Sequence, residues 1–363
     1  MSKLLNVKYN NTPAYSIMLE DSFHSLAQAV RTLHADERKA LIVTDTNIAP
    51  LYLDEVHSIL EECFSYTDEL ILIPGEEHKN TDSIAEIYEK LIEDNFDRND
   101  FLIALGGGVI GDMTGFAAAT YMRGIRFIQI PTTLLAQVDS SIGGKTGVDF
   151  RSYKNMVGAF HMPSLVYSNI KTLLTLDTVQ YASGMGEVIK HALIRSRTYF
   201  DYLTAHKEDL KQRSVPVLEE VVYQSNIIKK EVVERDPQEK GERQILNYGH
   251  TLGHAIEKCS GFSYSHGQCV AFGCLAALFI SESAAKENHA EICDLMQAAG
   301  LSTRLRAMPI DEIILATRKD KKMDHGKVRF ILLHDIGNAY IDTNVSDAAM
   351  RDALMAVMLP PQI

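Results

Sequence analysis

The chain has 363 residues, of which 46% are hydrophobic and 23% are charged, a composition typical of a globular protein with two domains. Its formal net charge of −12 argues against general binding to nucleic acid or an anionic membrane, so an anionic ligand would need locally gathered cations. Five cysteines without a C-x-x-C pair indicate neither a disulfide framework nor a thiolate zinc site. With no signal peptide and no apolar run long enough to span a bilayer, we expect a cytoplasmic protein.

Short β-branched runs alternate with helical patterns in the first half of the chain. The predicted strands cover residues 15–19, 40–44, 70–73, 101–105 and 127–130. The predicted helices cover residues 23–33, 52–63, 83–94 and 113–119. This alternation predicts an α/β fold, in which residues 1–172 form a Rossmann-like domain with a mostly parallel sheet. Ligands of such sheets bind beyond the carboxyl ends of the strands, where this chain places Asp45, residues 74–79 and residues 106–108.

Residues 106–111 satisfy the pattern G-x-G-x-x-G directly after a predicted strand and before a predicted helix. Glycines at such a turn let the backbone approach a pyrophosphate at a helix N-terminus, although a tight turn without a ligand has the same pattern. No acidic residue follows about 20 positions later to bind a ribose, and the acidic candidates, Asp45 and Glu76, come earlier. We therefore expect a variant dinucleotide-binding domain.

A second glycine-rich segment covers residues 131–149 and is followed by residues 154–160. It carries Lys145 and Lys154 beside hydroxyl side chains. Exposed backbone N–H groups and ammonium groups suit phosphate or carboxylate ligands, whereas the alternative is a solvated loop with incidental lysines.

Strand signals almost vanish from Asp177 onward, and residues 173–363 are predicted to form a mainly α-helical domain. Predicted helices cover residues 177–194, with Asp177 as the N-cap, and then residues 217–234, 268–285 and 290–299, the last ended by Gly300. The polar residues 206–214 are interpreted as a connector. A hairpin around residues 337–338 precedes a final helix capped by Ser346.

Residues 246–257 contain His250 and His254, whose spacing of four places both imidazoles on one helix face. His266 follows in a loop-like segment, and Glu187 lies in the segment 184–191. Two histidines and one carboxylate, with a fourth position open, are a common way to hold a catalytic zinc. The alternatives are ordinary buried histidines and, for Glu187 with Lys190, a surface ion pair. Lys229 and Arg243 could likewise be surface charges.

Several motifs together resemble the 3-dehydroquinate synthases, within a superfamily that includes sugar-phosphate cyclases and glycerol-type dehydrogenases. The motifs are P-G-E-x-x-K at 74–79, G-G-G-V-I-G-D at 106–112, the segment 131–148, K-N at 154–155, G-E-V-I-K-H at 186–191, and residues 246–257 with S-H-G at 265–267. The similarity extends over nearly the whole chain. It implies conversion of 3-deoxy-D-arabino-heptulosonate 7-phosphate to 3-dehydroquinate and phosphate, with NAD and zinc or cobalt, in a homodimer.

The resemblance also implies functional residues. The implied NAD contacts are Asp45, Glu76, Lys79, Gly107, Gly108, Val109, Asp112, Thr132, Thr133, Lys145, Lys154, Thr172, Thr175 and Leu176. The implied metal ligands are Glu187, His250 and His266. The implied substrate and catalytic residues are Asp139, Lys145, Asn155, Lys190, Lys229, Arg243, Asn247, His254 and Lys321.

These residue types suit an anionic substrate that is transiently oxidised. Lysine and arginine side chains hold its carboxylate and phosphate, whereas His254 and Asn247 orient hydroxyls and transfer protons. We expect replacement of Lys145, Lys190 or Arg243 by Met to lower activity strongly with little loss of melting temperature.

The sequence departs from the family pattern at Met162, Asn169 and Asp177, along the expected adenine and ribose side of the cofactor site and the domain connection. Three other functions remain open from sequence. A polyol dehydrogenase has little need for so many cations near its metal. A 2-deoxy-scyllo-inosose or valiolone-type cyclase is closer, but residues 143–147 with Arg243 favour the dehydroquinate branch. A non-catalytic NAD-binding regulator would not need an open zinc position.

Overall fold

A computed structural model of the chain describes residues 2–151, 153–318, 323–324 and 327–358. The chain divides into two compact units, Met1–Thr175 and Leu176–Ile363, which we call the sheet unit and the helical unit. One predicted substrate residue, Lys321, lies outside the described residues.

The sheet unit contains a seven-stranded sheet and, separate from it, the two-stranded sheet of β7 and β8. The described strands of this unit are β1 (Lys3–Tyr9), β2 (Thr12–Glu20), β3 (Lys39–Asp45), β4 (Tyr66–Leu72), β5 (Phe101–Gly106), β6 (Arg126–Pro131), β7 (Lys145–Phe150), β8 (Tyr153–Phe160) and β9 (Leu165–Asn169). The order in the sheet is β1-β2-β9-β6-β5-β3-β4, and all neighbours are parallel except β1 and β2. The predicted mostly parallel α/β fold is confirmed.

Helices cover the sheet and bury its central strands. The described helices of the sheet unit are α1 (Leu26–Arg31), α2 (Asp54–Glu61), α3 (Thr81–Glu93) and α4 (Gly108–Thr120). Every residue of β5 is buried, which explains why its sequence is continuously apolar. Along β3, Ile42 faces one hydrophobic core while Leu41 and Val43 face another, as the two-residue period of a strand requires.

The second glycine-rich segment is not the solvated loop of the alternative interpretation, because residues 145–150 and 153–160 form the antiparallel hairpin of β7 and β8. Gly147 pairs with Gly158 across the hairpin, and a Cβ at Gly158 would lie only 2.3 Å from the Thr146 carbonyl oxygen. A Cβ at Gly115 of α4 would lie 2.5 Å from the Thr146 methyl carbon. Glycine is unusual within strands, but here it permits close packing of the hairpin on itself and on α4.

The helical unit consists mainly of helices. Its described helices are α5 (Thr178–Arg195), α6 (Arg197–Ala205), α7 (Lys207–Lys211), α8 (Val215–Arg235), α9 (His250–Cys259), α10 (His266–Ile280), α11 (Ser283–Lys286), α12 (His289–Ala298), α13 (Ile310–Thr317) and α14 (Asp347–Val357). Its described strands are β10 (Met323–Asp324), β11 (Lys327–Val328), β12 (Phe330–Asp335) and β13 (Asn338–Asp342). Of the helices described, none is long and apolar enough to span a membrane.

Of the helix caps, connector and helix end predicted for this unit, only the caps agree fully with the structure. The predicted caps are confirmed, since Asp177 Oδ1 accepts from the Gln180 amide at 2.7 Å and Ser346 Oγ accepts from the Ala349 amide at 3.2 Å. The predicted connector at 206–214 is wrong in part, because α7 lies within it. The predicted helix 268–285 is interrupted at Ser281, whose hydroxyl accepts a hydrogen bond from the amide of a β12 residue, a tertiary contact invisible to helical periodicity.

Candidate active site

Three helices of the helical unit bring together Glu187, His250 and His266. Glu187 lies within α5, and the two histidines are the first residues of α9 and α10. Glu187 Oε1 is 3.5 Å from His250 Nε2 and 3.4 Å from His266 Nε2. His254 faces the same point, because it and the other two histidines each place a ring nitrogen within 4.8 Å of the others. The predicted metal ligands thus form one cluster, to which the structure adds His254.

Glycines next to these residues allow the three helices to touch through their backbones. A Cβ at Gly267 would lie 1.9 Å from the Ser183 carbonyl oxygen, and one at Gly186 would lie 2.5 Å from the Gly267 carbonyl oxygen. A Cβ at Gly273 of α10 would lie 1.9 Å from the Gly249 carbonyl oxygen, just before α9. Side chains at these positions would force the helices apart, so the glycines set the spacing of the neighbouring donor groups.

The second ring nitrogen of each predicted histidine ligand has its own partner. His250 Nδ1 lies 3.1 Å from the Tyr248 carbonyl oxygen, and His266 Nδ1 lies 3.6 Å from Glu257 Oε2. Partners of this kind commonly orient the histidine ligands of a metal. Sequence reasoning did not single out Glu257, although its position seven residues after His250 places it on the same face of α9.

Charges in the cluster shift one another's ionisation. Burial opposes the charge of Glu187, but Lys190 and His266 hold the pKa of this carboxyl below its usual range. Burial likewise opposes the charge of His266, but Glu187 and Glu257 raise the pKa of this imidazole to about 9. The cluster therefore favours one negative carboxylate facing cationic groups.

Three predicted substrate cations of the helical unit are buried. Lys190, Lys229 and Arg243 are 2%, 6% and 2% exposed, so none is the surface charge that the alternative interpretation would require. Lys190 Nζ donates to Glu187 Oε2. An Arg243 terminal NH group donates to the Pro237 carbonyl oxygen at 2.6 Å.

Asn247 is placed by a neighbouring carboxylate. Its amide Nδ2 donates to Glu239 Oε1 at 2.7 Å. Glu239, another residue that sequence reasoning missed, has a positive φ of 58°, and no local pattern indicates such a conformation.

In the sheet unit, the predicted cofactor residues of the β4–α3 loop meet those of α4 and β8. Lys79 Nζ donates to Asp112 Oδ2 at 2.6 Å and to Asn155 Oδ1 at 2.7 Å. Glu76 Oε1 lies 4.0 Å from Lys79 Nζ and 3.7 Å from Lys154 Nζ. Burial opposes the charge of Lys79, but Asp112 and Glu76 raise the pKa of its ammonium group above the ordinary value.

The glycine turn joins β5 to α4. Gly107 is the N-cap of α4, and Gly108 and Val109 lie in its first turn. The Thr132 amide donates to the Gly106 carbonyl oxygen at 2.9 Å, and a Cβ at Gly107 would lie 3.0 Å from the Thr133 methyl carbon. The turn therefore places the two predicted threonines beside the backbone at the N-terminus of α4.

Other predicted residues occupy strand ends and turns. Asp45 ends β3, where its Oδ1 accepts from the Asn47 and Ile48 amides, and burial raises its pKa. The Thr172 hydroxyl accepts from Gln137 Nε2 at 3.2 Å, and the Thr175 hydroxyl lies 2.6 Å from the Tyr52 hydroxyl. The remaining positions are Asp139 in the turn Ala136–Ser140, Lys145 at the exposed start of β7, and Leu176 as the first residue of the helical unit.

Two of the departures from the family pattern have a local role. Asn169 Oδ1 accepts from the Lys171 amide at 3.0 Å and caps a short 3-10 turn, whereas Asp177 caps α5. Met162 Sδ would lie 2.6 Å from a Cβ at Gly144. These side chains satisfy or fill their immediate surroundings.

Comparison with known proteins gives consistent results along the chain. The N-terminal model of the 3-dehydroquinate synthases matches residues 69–183, and the C-terminal model matches residues 184–323. The 3-dehydroquinate synthase of Ruthia magnifica is 42% identical over 331 residues, which are 89% of this chain and 91% of the relative. The chain belongs to the 3-dehydroquinate synthase family. The resemblance predicted from the motifs is thus confirmed.

Two solved structures share the fold of this 3-dehydroquinate synthase family member. A 2-deoxy-scyllo-inosose synthase complexed with carbaglucose-6-phosphate, NAD+ and Co2+ matches with a TM-score of 0.85 and 23% identity, over 97% of this chain and 99% of that chain. A 2-epi-5-epi-valiolone synthase from Streptomyces hygroscopicus with NAD+ and Zn2+ bound matches with a TM-score of 0.86, 23% identity and the same coverage.

Proposed function

We propose that the chain is a 3-dehydroquinate synthase, a lyase that converts 3-deoxy-D-arabino-heptulosonate 7-phosphate to 3-dehydroquinate and phosphate in the shikimate pathway of aromatic amino acid biosynthesis. Its family membership supports this reaction over that of the related cyclases. The observation that carries the proposal in the structure is the cluster of buried Glu187 and His250 with half-buried His266, beside which Lys190 lies almost completely buried. An acidic chain that buries lysine and arginine there is suited to an anionic substrate.

The donor cluster fits a zinc or cobalt ion held by Glu187, His250 and His266. Zinc–ligand bonds of about 2.0 Å in a tetrahedron separate the donor atoms by roughly 3.3 Å, close to the 3.4 and 3.5 Å that separate Glu187 Oε1 from the histidine nitrogens. Glu187 Oε1 is buried and makes no regular hydrogen bond within the described part of the chain, so a cation would satisfy it.

The sheet unit fits NAD through its glycine turn and strand ends. Backbone N–H groups at the start of α4 suit a pyrophosphate, and the buried, ion-paired Lys79 adds positive charge nearby. The proposed NAD contacts are the fourteen implied by the family resemblance, from Asp45 to Leu176. When bound, the metal supplies a Lewis acid for a substrate hydroxyl, and NAD supplies a hydride acceptor that is regenerated within each turnover.

The chain's own residues would bind and orient the substrate. In the helical unit, Lys190, Lys229 and Arg243 neutralise its carboxylate and phosphate, while His254 and Asn247 hold or move protons at its hydroxyls. Further proposed substrate residues are Asp139, Lys145 and Asn155 in the sheet unit, and Lys321. Burial of Lys190, Lys229 and Arg243 would strengthen their charge-assisted contacts with the substrate, because little water competes for these side chains.

The test follows phosphate release and NADH absorbance together, with the heptulosonate phosphate as substrate and NAD in catalytic amount. We expect phosphate to rise against a flat NADH trace, because the cofactor is oxidant and then reductant. Chelator-treated protein should be inactive, and zinc or cobalt should restore it. One NADH per substrate without phosphate would instead indicate a polyol dehydrogenase, and turnover of a hexose 6-phosphate alone would indicate a related cyclase.

We further propose that the protein acts in the cytoplasm as a homodimer. Family resemblance supports the dimer, and a biosynthetic role with reduced cysteines supports the compartment. Light scattering of the purified chain would measure its mass in solution, and a monomer would contradict this proposal.

A further inference from the structure

His266 lies between two buried carboxylates. Its Nε2 is 3.4 Å from Glu187 Oε1, and its Nδ1 is 3.6 Å from Glu257 Oε2. Glu187 is 0% exposed and Glu257 is 5% exposed. A charged side chain is rarely buried to this extent without a specific partner, and His266 is one such partner of Glu257.

Helix α9 determines this arrangement. Glu257 follows His250 by seven residues, or two helical turns, so both side chains leave α9 on the same face. One helix thus carries the donor His250 and also the carboxylate that contacts the other histidine donor, His266.

The two histidine ligands differ in what holds their outer nitrogen. His250 Nδ1 contacts a neutral backbone carbonyl, that of Tyr248, whereas His266 Nδ1 contacts the charged carboxylate of Glu257. A carboxylate on the outer nitrogen fixes the tautomer that leaves Nε2 as the ligand atom, and it makes that atom more basic. A backbone carbonyl orients the ring but adds no charge.

We infer that Glu257 is a positioning residue that sets the metal affinity of the cluster through His266. This inference rests on the metal site of the proposed function. Loss of such an outer partner typically weakens metal binding by about 10-fold to 100-fold. Glu257 is not itself placed to bind the metal, because its carboxylate faces Nδ1 of His266, opposite the Nε2 atom that faces Glu187.

The test measures Zn²⁺ and Co²⁺ affinity of the full chain by competition with a chelator of known affinity. We expect Glu257→Gln, which keeps the size but removes the charge, to weaken both metals by about 10-fold or more and to change the visible spectrum of bound cobalt. Glu257→Asp keeps the charge but moves it farther from His266, so this variant should lose less metal affinity than Glu257→Gln. It also preserves the test if the glutamine variant folds poorly. The matched control is Glu282→Gln, because Glu282 Oε1 also contacts a histidine, His334 Nδ1, at 2.7 Å, but on the exposed surface. The metal affinity of this variant should equal that of wild type.

A double-mutant cycle separates action through His266 from a general structural effect. In a His266→Ala background, Glu257→Gln should cause no further loss of affinity, because the residue through which it acts is gone. An equal loss in both backgrounds, or an affinity of Glu257→Gln within twofold of wild type, would overturn the inference. A wild-type chain that binds neither metal would contradict the metal site of the proposed function as well. A wild-type chain that binds metal independently of Glu257 would contradict only the inference about Glu257.

Discussion

The sheet unit and the helical unit build their candidate sites in different ways. In the sheet unit, Lys79, Asp112 and the glycine turn lie where strands end and helices begin, as in any parallel sheet. In the helical unit, the donor atoms come from three helices that are held in backbone contact by glycines such as Gly267. In the first arrangement, the candidate binding groups are backbone N–H groups at the start of one helix, α4. The second depends on the distance between helix axes.

The largest expected effect comes from filling the contact between α5 and α10. Gly267→Ala places a Cβ 1.9 Å from the Ser183 carbonyl oxygen, so the helices must separate and move His266 away from Glu187. We expect a loss of more than about 3 kcal/mol in the free energy of unfolding, together with loss of metal binding. Urea denaturation and metal titration would measure the two effects.

The matched glycine in the sheet unit is Gly111 of α4. A Cβ there would meet the end of the Gln129 side chain, with the nearest atom, its oxygen, at 3.0 Å, and alanine also favours the helix by up to about 1 kcal/mol. Gly111→Ala should therefore change the stability by less than about 1 kcal/mol. Equal losses for the two variants would contradict the contrast between the units.

A second comparison sets buried Lys190 against exposed Lys145. Sequence alone predicts that Met at either position costs little stability, but Lys190 pairs with Glu187 in the interior. We expect Lys190→Met to lower the free energy of unfolding of the chelator-treated protein by about 3 kcal/mol. This value is at the lower end of the range for breaking a buried ion pair, because His266 remains beside the Glu187 carboxylate. Lys145→Met should stay within about 0.5 kcal/mol of wild type. Thermal and urea unfolding would check both values, and a stable Lys190→Met protein would show that the pair contributes little.

The smallest effect concerns pH between 6 and 9. In metal-free protein the pKa of His266 is raised to about 9, so the stability it contributes is full below its unfolded pKa near 6.5 and is lost as the pH rises toward 9. We expect a decrease on the order of 1 kcal/mol, because solvent reaches about a third of this side chain. Lys79 of the sheet unit stays charged throughout this range. Urea denaturation at several pH values would measure the free energy of unfolding, which should change less with pH in His266→Ala than in wild type. The same pH dependence in both proteins would contradict the assignment.

The successes and errors of sequence interpretation follow from the range of the interactions involved. The alternation around β3 and β5 and the caps Asp177 and Ser346 are local, and they are confirmed. The hairpin of β7 and β8 was missed because its glycines are favourable only when a neighbouring strand and helix pack closely against them.

The sequence by itself determined the α/β fold, the family and the shared helix face of His250 and His254, because strand alternation, motif identity and helical spacing are properties of short segments. Only the tertiary structure decided that Glu187 lies within 3.5 Å of two histidines distant in sequence, that Lys190 pairs with it in the interior, and that Glu257 contacts His266. These contacts depend on how closely α5, α9 and α10 approach. That approach is set by glycine backbones meeting across helices, a condition that no single segment of the chain contains.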